Sequence, residues 1–132
     1  MRSPRAARSR DQITYERTLE RLRRICLALP ETSEVVAWGH PNFRAGRKIF
    51  AVLEVYKGVL SIAVKAALPD QEALLHDPRF DKTPYIGQSG WVSLKVGGRL
   101  HWDPIRPLVL ASYRLVALKR MVAALDDATG GR

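Results

Sequence analysis

Residues 48–65, KIFAVLEVYKGVLSIAVK, decide the architecture. Two apolar runs, 48–54 and 59–65, flank Lys57-Gly58, where glycine supplies the tight turn of a β-hairpin. In the second run Leu60, Ile62 and Val64 alternate with Ser61, Ala63 and Lys65, the period of a strand with one face in a core. Upstream, Val35–Trp38 reads as a short strand, and Gly39, His40, Pro41 and Asn42 read as turn or edge chemistry. Phe43-Arg44 leads into a hairpin tip at Ala45-Gly46-Arg47. Downstream, Trp91–Val96 predicts a strand with Trp91, Ser93 and Lys95 on one face and Val92, Leu94 and Val96 on the other. Gly97-Gly98 is a turn signal, and Leu100–Trp102 continues as a short strand. Connections this short join antiparallel strands.

Helical stripes bracket this meander. Tyr15, Leu19, Leu22, Cys26 and Leu29 recur at spacings of 4, 3, 4 and 3, predicting a helix near 14–29. Asp11 or Thr14 is the expected cap and Pro30 the stop. Leu108, Ala111, Leu115, Leu118, Val122 and Leu125 repeat at 3, 4, 3, 4 and 3, predicting one long helix over 104–125. Asp103 would cap it, with Pro104 at its first position and Pro107 still in the first turn. Pro69 starts a short helix through Gln71–His76. Residues 77–90 form a long connection, and the segment 76–90 is expected to be ordered by Phe80, Tyr85 and Ile86. The fold class is therefore α+β: a mainly antiparallel sheet of five or six strands packed against an N-terminal and a long C-terminal helix. Leu22, Cys26, Phe50, Val52, Ile62, Leu94, Leu115 and Leu118 are expected to be buried together.

The chain has 132 residues, 46% of them hydrophobic, which suits one domain with its own core. The expected organisation is a disordered basic arm over 1–10, a domain over 11–126 and a flexible tail over 127–132. One cysteine, Cys26, permits no intramolecular disulfide. Its place in the apolar stripe suits a small core residue. No apolar run reaches the length of a membrane span, and Met1–Arg10 is not followed by the apolar segment of a secretory signal. A cytoplasmic location is the default expectation.

Net charge is +9, distributed unevenly. Residues 1–24 hold eight arginines against Asp11, Glu16 and Glu20, a balance of +5 that leaves +4 for all that follows. Such a segment attracts polyanions without sequence specificity.

Catalytic patterns are not found. The chain has no G-x-S-x-G elbow, phosphate-binding loop or dinucleotide fingerprint. His40, His76 and His101 are never at metal-ligand spacing, and no C-x-x-C occurs. No cofactor, metal site or enzymatic activity is expected. What remains is a set of basic residues suited to phosphate contact: Arg2, Arg5, Arg8 and Arg10 in the arm, and Arg44, Arg47, Lys48, Lys82 and Lys95 in turns and strands. Near them in sequence stand Trp38, His40, Phe43, Tyr85 and Trp91, an expected aromatic patch. Two readings follow: a nucleic-acid-binding module contacting phosphates, with DNA as the partner, or a small-ligand or protein-interaction module using the aromatic patch.

Several stretches resemble the MmcQ/YjbR family. They are Leu27-Ala-Leu-Pro-Glu31, Trp38-Gly-His-Pro-Asn-Phe-Arg44, Gly46-Arg-Lys-Ile-Phe-Ala51, Asp77-Pro-Arg-Phe80, Thr83-Pro-Tyr-Ile-Gly87, Gly90-Trp91-Val92, His101-Trp-Asp103 and Ser112-Tyr-Arg-Leu-Val-Ala117. In order, they span about residues 20–120. The resemblance implies a CyaY-like, double-wing α+β sandwich and a DNA-binding role, and it brings no agreed catalytic residues. Kinship with frataxin would raise iron binding, but the first helix here is rich in arginine and carries no acidic ridge.

Overall fold

A computed structural model describes residues 9–97 and 99–129. The elements run α1 (Arg10–Cys26), β1 (Thr32–Ala37), β2 (His40–Ala45), β3 (Lys48–Tyr56), β4 (Val59–Lys65), α2 (Leu68–Leu74), β5 (Phe80–Lys82), β6 (Trp91–Lys95), α3 (Trp102–Val116) and α4 (Lys119–Ala128), with a 3-10 turn at Gly87–Ser89. The six strands form one sheet in the order β1-β2-β3-β4-β6-β5, every neighbouring pair antiparallel. The expected fold class is therefore what the chain adopts.

The helices cover one sheet face. α3 packs on β3 and β4 and touches α1. The core between the layers holds Leu22, Cys26, Phe43, Phe50, Leu53, Ile62, Val92, Leu94, Val109 and Tyr113. The opposite face has a smaller cluster, in which the Trp91 ring lies with Val52, Ala63 and Ile49. Buried polar groups around β6 are satisfied locally. The Thr83 and Ser93 hydroxyls share a hydrogen bond of 2.9 Å, and Gln71 Nε2 donates to the carbonyls of Gly87 and Trp91 at 2.6 and 3.1 Å. These contacts order residues 83–90 across the sheet. Gly90 completes them at φ +104°, where a Cβ would collide with the Ala66 carbonyl oxygen.

Several expectations are corrected. The cap of α1 is Ser9: its hydroxyl accepts from Gln12 N–H and its own N–H donates to the Gln12 side chain, both at 3.0 Å. This capping box starts the helix at Arg10, inside the expected arm, and α1 ends at Cys26, short of Pro30. His40, Pro41 and Asn42 belong to β2, because the turn is Trp38-Gly39, both with positive φ. Asn42 Nδ2 closes that hairpin by donating to the carbonyls of Ala37 and His40. Leu100–Trp102 forms no strand. His101 caps α3, so Pro107 falls in the second turn.

The predicted C-terminal helix is two helices. Ala117 and Leu118 are extended, and α4 turns back so that Met121 and Leu125 are buried and Arg120 reaches Glu31 in a bidentate pair of 2.8 and 3.0 Å. The buried stripe of α3 is Ile105, Val109, Ser112, Tyr113 and Val116, one position away from the predicted one. Leu115 and Leu118 are accordingly 48% and 52% exposed, and Val52 belongs to the other face. α4 continues through Ala128, beyond the expected boundary at 126.

Candidate nucleic-acid interface

The site begins with the period of α1. Leu22, Ile25 and Cys26 face the core, with Tyr15 and Leu19 packed beside them. Arg10, Thr14, Arg17, Arg21 and Arg24, at spacings of 4, 3, 4 and 3, form the stripe along another side. Thr18 lies between the stripes and donates its hydroxyl to the Thr14 carbonyl at 2.7 Å. The segment joining β6 to α3 supplies the facing wall through Arg99, Leu100 and Trp102. Between them runs an open groove of about 600 Å³ holding Arg17, Arg21, Arg24 and Arg99.

The groove is cationic and aromatic together. The Arg21 guanidinium carbon lies 5.4 Å from the centroid of the half-buried Trp102 ring, within cation–π range. Glu20 is the carboxylate lining the groove, and it pairs with Arg24 at 2.9 Å. Arg17, Arg21 and Arg99 have no ion pair among the described residues. Other arginines serve the fold. Arg23 makes a bidentate bond to Glu34 of β1, which raises its pKa further. Arg114 holds Asp126 at 2.6 Å, and Arg79 holds Asp77 at 2.7 Å.

Among the described residues, the predicted basic residues do not assemble into one surface. Arg2, Arg5 and Arg8 lie outside the described residues, and Arg10 continues the α1 stripe. Arg47 and Lys48 close the β2–β3 hairpin, exposed and away from the groove. Lys95 is engaged by Asp81 at 3.3 Å and by the Pro78 carbonyl at 3.2 Å. Lys82 lies on the short edge strand β5, its stem beside Gly87. Arg44 is half-buried in β2, and its Nε is enclosed without a hydrogen-bond partner among the described residues.

The aromatic patch is likewise dispersed. Phe43 is in the inter-layer core and Trp91 in the cluster on the other face. Trp38 and Tyr85 are 91% and 86% exposed on separate turns, both in the left-handed region. His40 is half-buried in β2. A different apolar groove, about 480 Å³, opens between α2 and α3, where Leu108, Ala111 and Leu115 face Ala66, Ala73 and Leu74.

Cys26 is wholly buried, and burial pushes its thiol pKa far up. Among the described residues no group of three or more His, Cys, Asp or Glu side chains could hold a metal ion. No helix among them is long and apolar enough to cross a membrane.

A family model, YjbR, matches residues 27–115. The chain belongs to the YjbR family. Among solved structures it is similar to the Deinococcus radiodurans protein DR2400, described with a DUF419 domain. That likeness has a TM-score of 0.65 at 20% sequence identity and covers 85% of this chain and 87% of that one, which fixes the fold alone. No curated protein matches. The YjbR match begins at Leu27, just after α1, so the arginine stripe lies outside the matched stretch while Arg99 and Trp102 lie within it.

Proposed function

We propose that this YjbR-family protein is a non-catalytic nucleic-acid-binding module that holds phosphates in the arginine groove beside α1. The observation that carries the reading is the concentration of Arg17, Arg21 and Arg99 in one recess, without carboxylate partners among the described residues, while Arg23, Arg79, Arg114 and Arg120 are taken up by ion pairs. Guanidinium groups present forked donors matched to phosphate oxygens. Arg10 extends the stripe toward the N-terminal segment, so Arg2, Arg5 and Arg8 would add charge at that end. The groove's polar lining is chiefly arginine and threonine. Neither side chain exchanges protons near neutral pH, which favours binding over acid–base chemistry. Contacts of this kind neutralise phosphates and do not read bases.

The test is fluorescence anisotropy with labelled DNA at about 50 mM salt, where non-specific contacts are strong. The triple variant Arg17→Gln, Arg24→Gln, Arg99→Gln should lose most of the binding, while the pair Arg47→Gln, Lys48→Gln keeps it. Absence of binding by the unaltered protein would end this reading. The alternative, a small-ligand or protein-interaction module, loses its aromatic patch and would rest on the apolar groove between α2 and α3.

A further inference from the structure

Phosphate binding accounts for the arginines but not for the indole among them. Trp102 is the first residue of α3, half-buried against the core, with Arg21 over its ring at 5.4 Å. The recess is bounded by a helix and a loop, and its volume of about 600 Å³ falls within the range of cavities that enclose small ligands. A duplex keeps its bases stacked and offers only their edges in its grooves. Its backbone could touch the arginines, but its stacked bases offer the Trp102 ring no free face. An unpaired base has a free face, and aromatic and guanidinium planes are the groups that receive it.

Resting on the phosphate-binding reading above, we infer that the groove takes single-stranded nucleic acid. Arg17, Arg24 and Arg99 hold consecutive phosphates, and one unpaired base enters against the Arg21–Trp102 pair. The indole limits the freedom of the Arg21 side chain before binding, so less is lost when a base is clamped. Glu20 pairs with Arg24 at 2.9 Å, and both side chains are exposed, so a phosphate can take the place of the carboxylate at little loss.

The experiment compares labelled dT10, U10 and a ten-base-pair duplex, by anisotropy, on the full chain and on three variants: Trp102→Leu, Trp102→Phe and Arg21→Gln. A single strand should bind at least about 10-fold tighter than the duplex, and the tighter of dT10 and U10 names the natural source. Trp102→Leu should weaken the single strand by about 5- to 150-fold, the equivalent of one stacked base, and leave the duplex unchanged. Trp102→Phe retains a ring and should keep most of the preference, and Arg21→Gln should lose it. Melting curves by circular dichroism report whether each variant is folded. If Trp102→Leu unfolds, Arg21→Gln and Trp102→Phe decide. Equal affinity for strand and duplex, insensitive to both, would overturn this inference and leave phosphate binding standing. No binding of any probe would remove the phosphate reading itself.

Discussion

The Tyr113 hydroxyl donates to the carbonyl of Pro30 across 2.7 Å, tying α3 to the corner between α1 and β1. The Tyr113 ring also meets Phe50 edge-on, with centroids 5.4 Å apart, and is fully buried. One side chain thus fixes the helix layer to the sheet and sets where α1 lies, and with it the arginine stripe. Tyr113→Phe should cost about 1–3 kcal/mol, because it leaves the Pro30 carbonyl without its donor. Urea denaturation measures this, and an unchanged midpoint would show that water replaces the bond at no loss.

The register of α3 gives a second test. Ile105 is 3% exposed and Leu115 is 48% exposed. Ile105→Ala should cost about 2–5 kcal/mol. Leu115→Ala should cost under about 1 kcal/mol, as truncations at exposed positions do. Comparable losses at both would place Leu115 in the core.

Cys26 should be unreactive toward a disulfide reagent in the native protein and react fully in denaturant, since burial keeps it protonated and out of reach. Fast labelling under native conditions at pH 8 would mean that α1 opens readily from the sheet.

Asp77 accepts from the Arg79 side chain and from Arg79 N–H, and these bonds hold its carboxyl pKa down to about 2. A depressed carboxylate stabilises the fold above its unfolded pKa of about 3.9 and loses that contribution as pH falls through the native value. An NMR titration of the carboxyl carbon should find a midpoint near 2, and Arg79→Gln should raise it. A midpoint near 4 in the unaltered protein would contradict the pairing.

The antiparallel sheet was legible because Lys57-Gly58 and Gly46 announce hairpins and apolar runs flank Lys57-Gly58 on both sides. The C-terminal helix departs from its apolar period for a physical reason. Leu108, Leu115 and Leu118 are the more apolar choice, yet Ser112 and Tyr113 are the residues turned inward. Ser112 Oγ donates to the Phe50 carbonyl at 2.6 Å and accepts from Lys65 N–H at 2.9 Å, so its polarity is satisfied inside the fold. The break at Ala117-Leu118 carries no glycine or proline; tertiary contacts of Met121 and Arg120 select it. The side of α1 bearing Arg17, Arg21 and Arg24 was visible from its period alone. Its meaning was not, because Arg99 and Trp102 join it only in the folded chain.

If the groove beside α1 neutralises phosphates, the slope of log K against log salt for single-stranded DNA reports it. Each phosphate contact contributes about −0.7 to that slope on a single strand. The triple variant Arg17→Gln, Arg24→Gln, Arg99→Gln should therefore be shallower by about 2 than the full chain. Deleting residues 1–8 removes Arg2, Arg5 and Arg8 but keeps the Ser9 cap, and measures the N-terminal share separately. A slope left unchanged by the triple variant, or one reduced only by the deletion, would contradict the account.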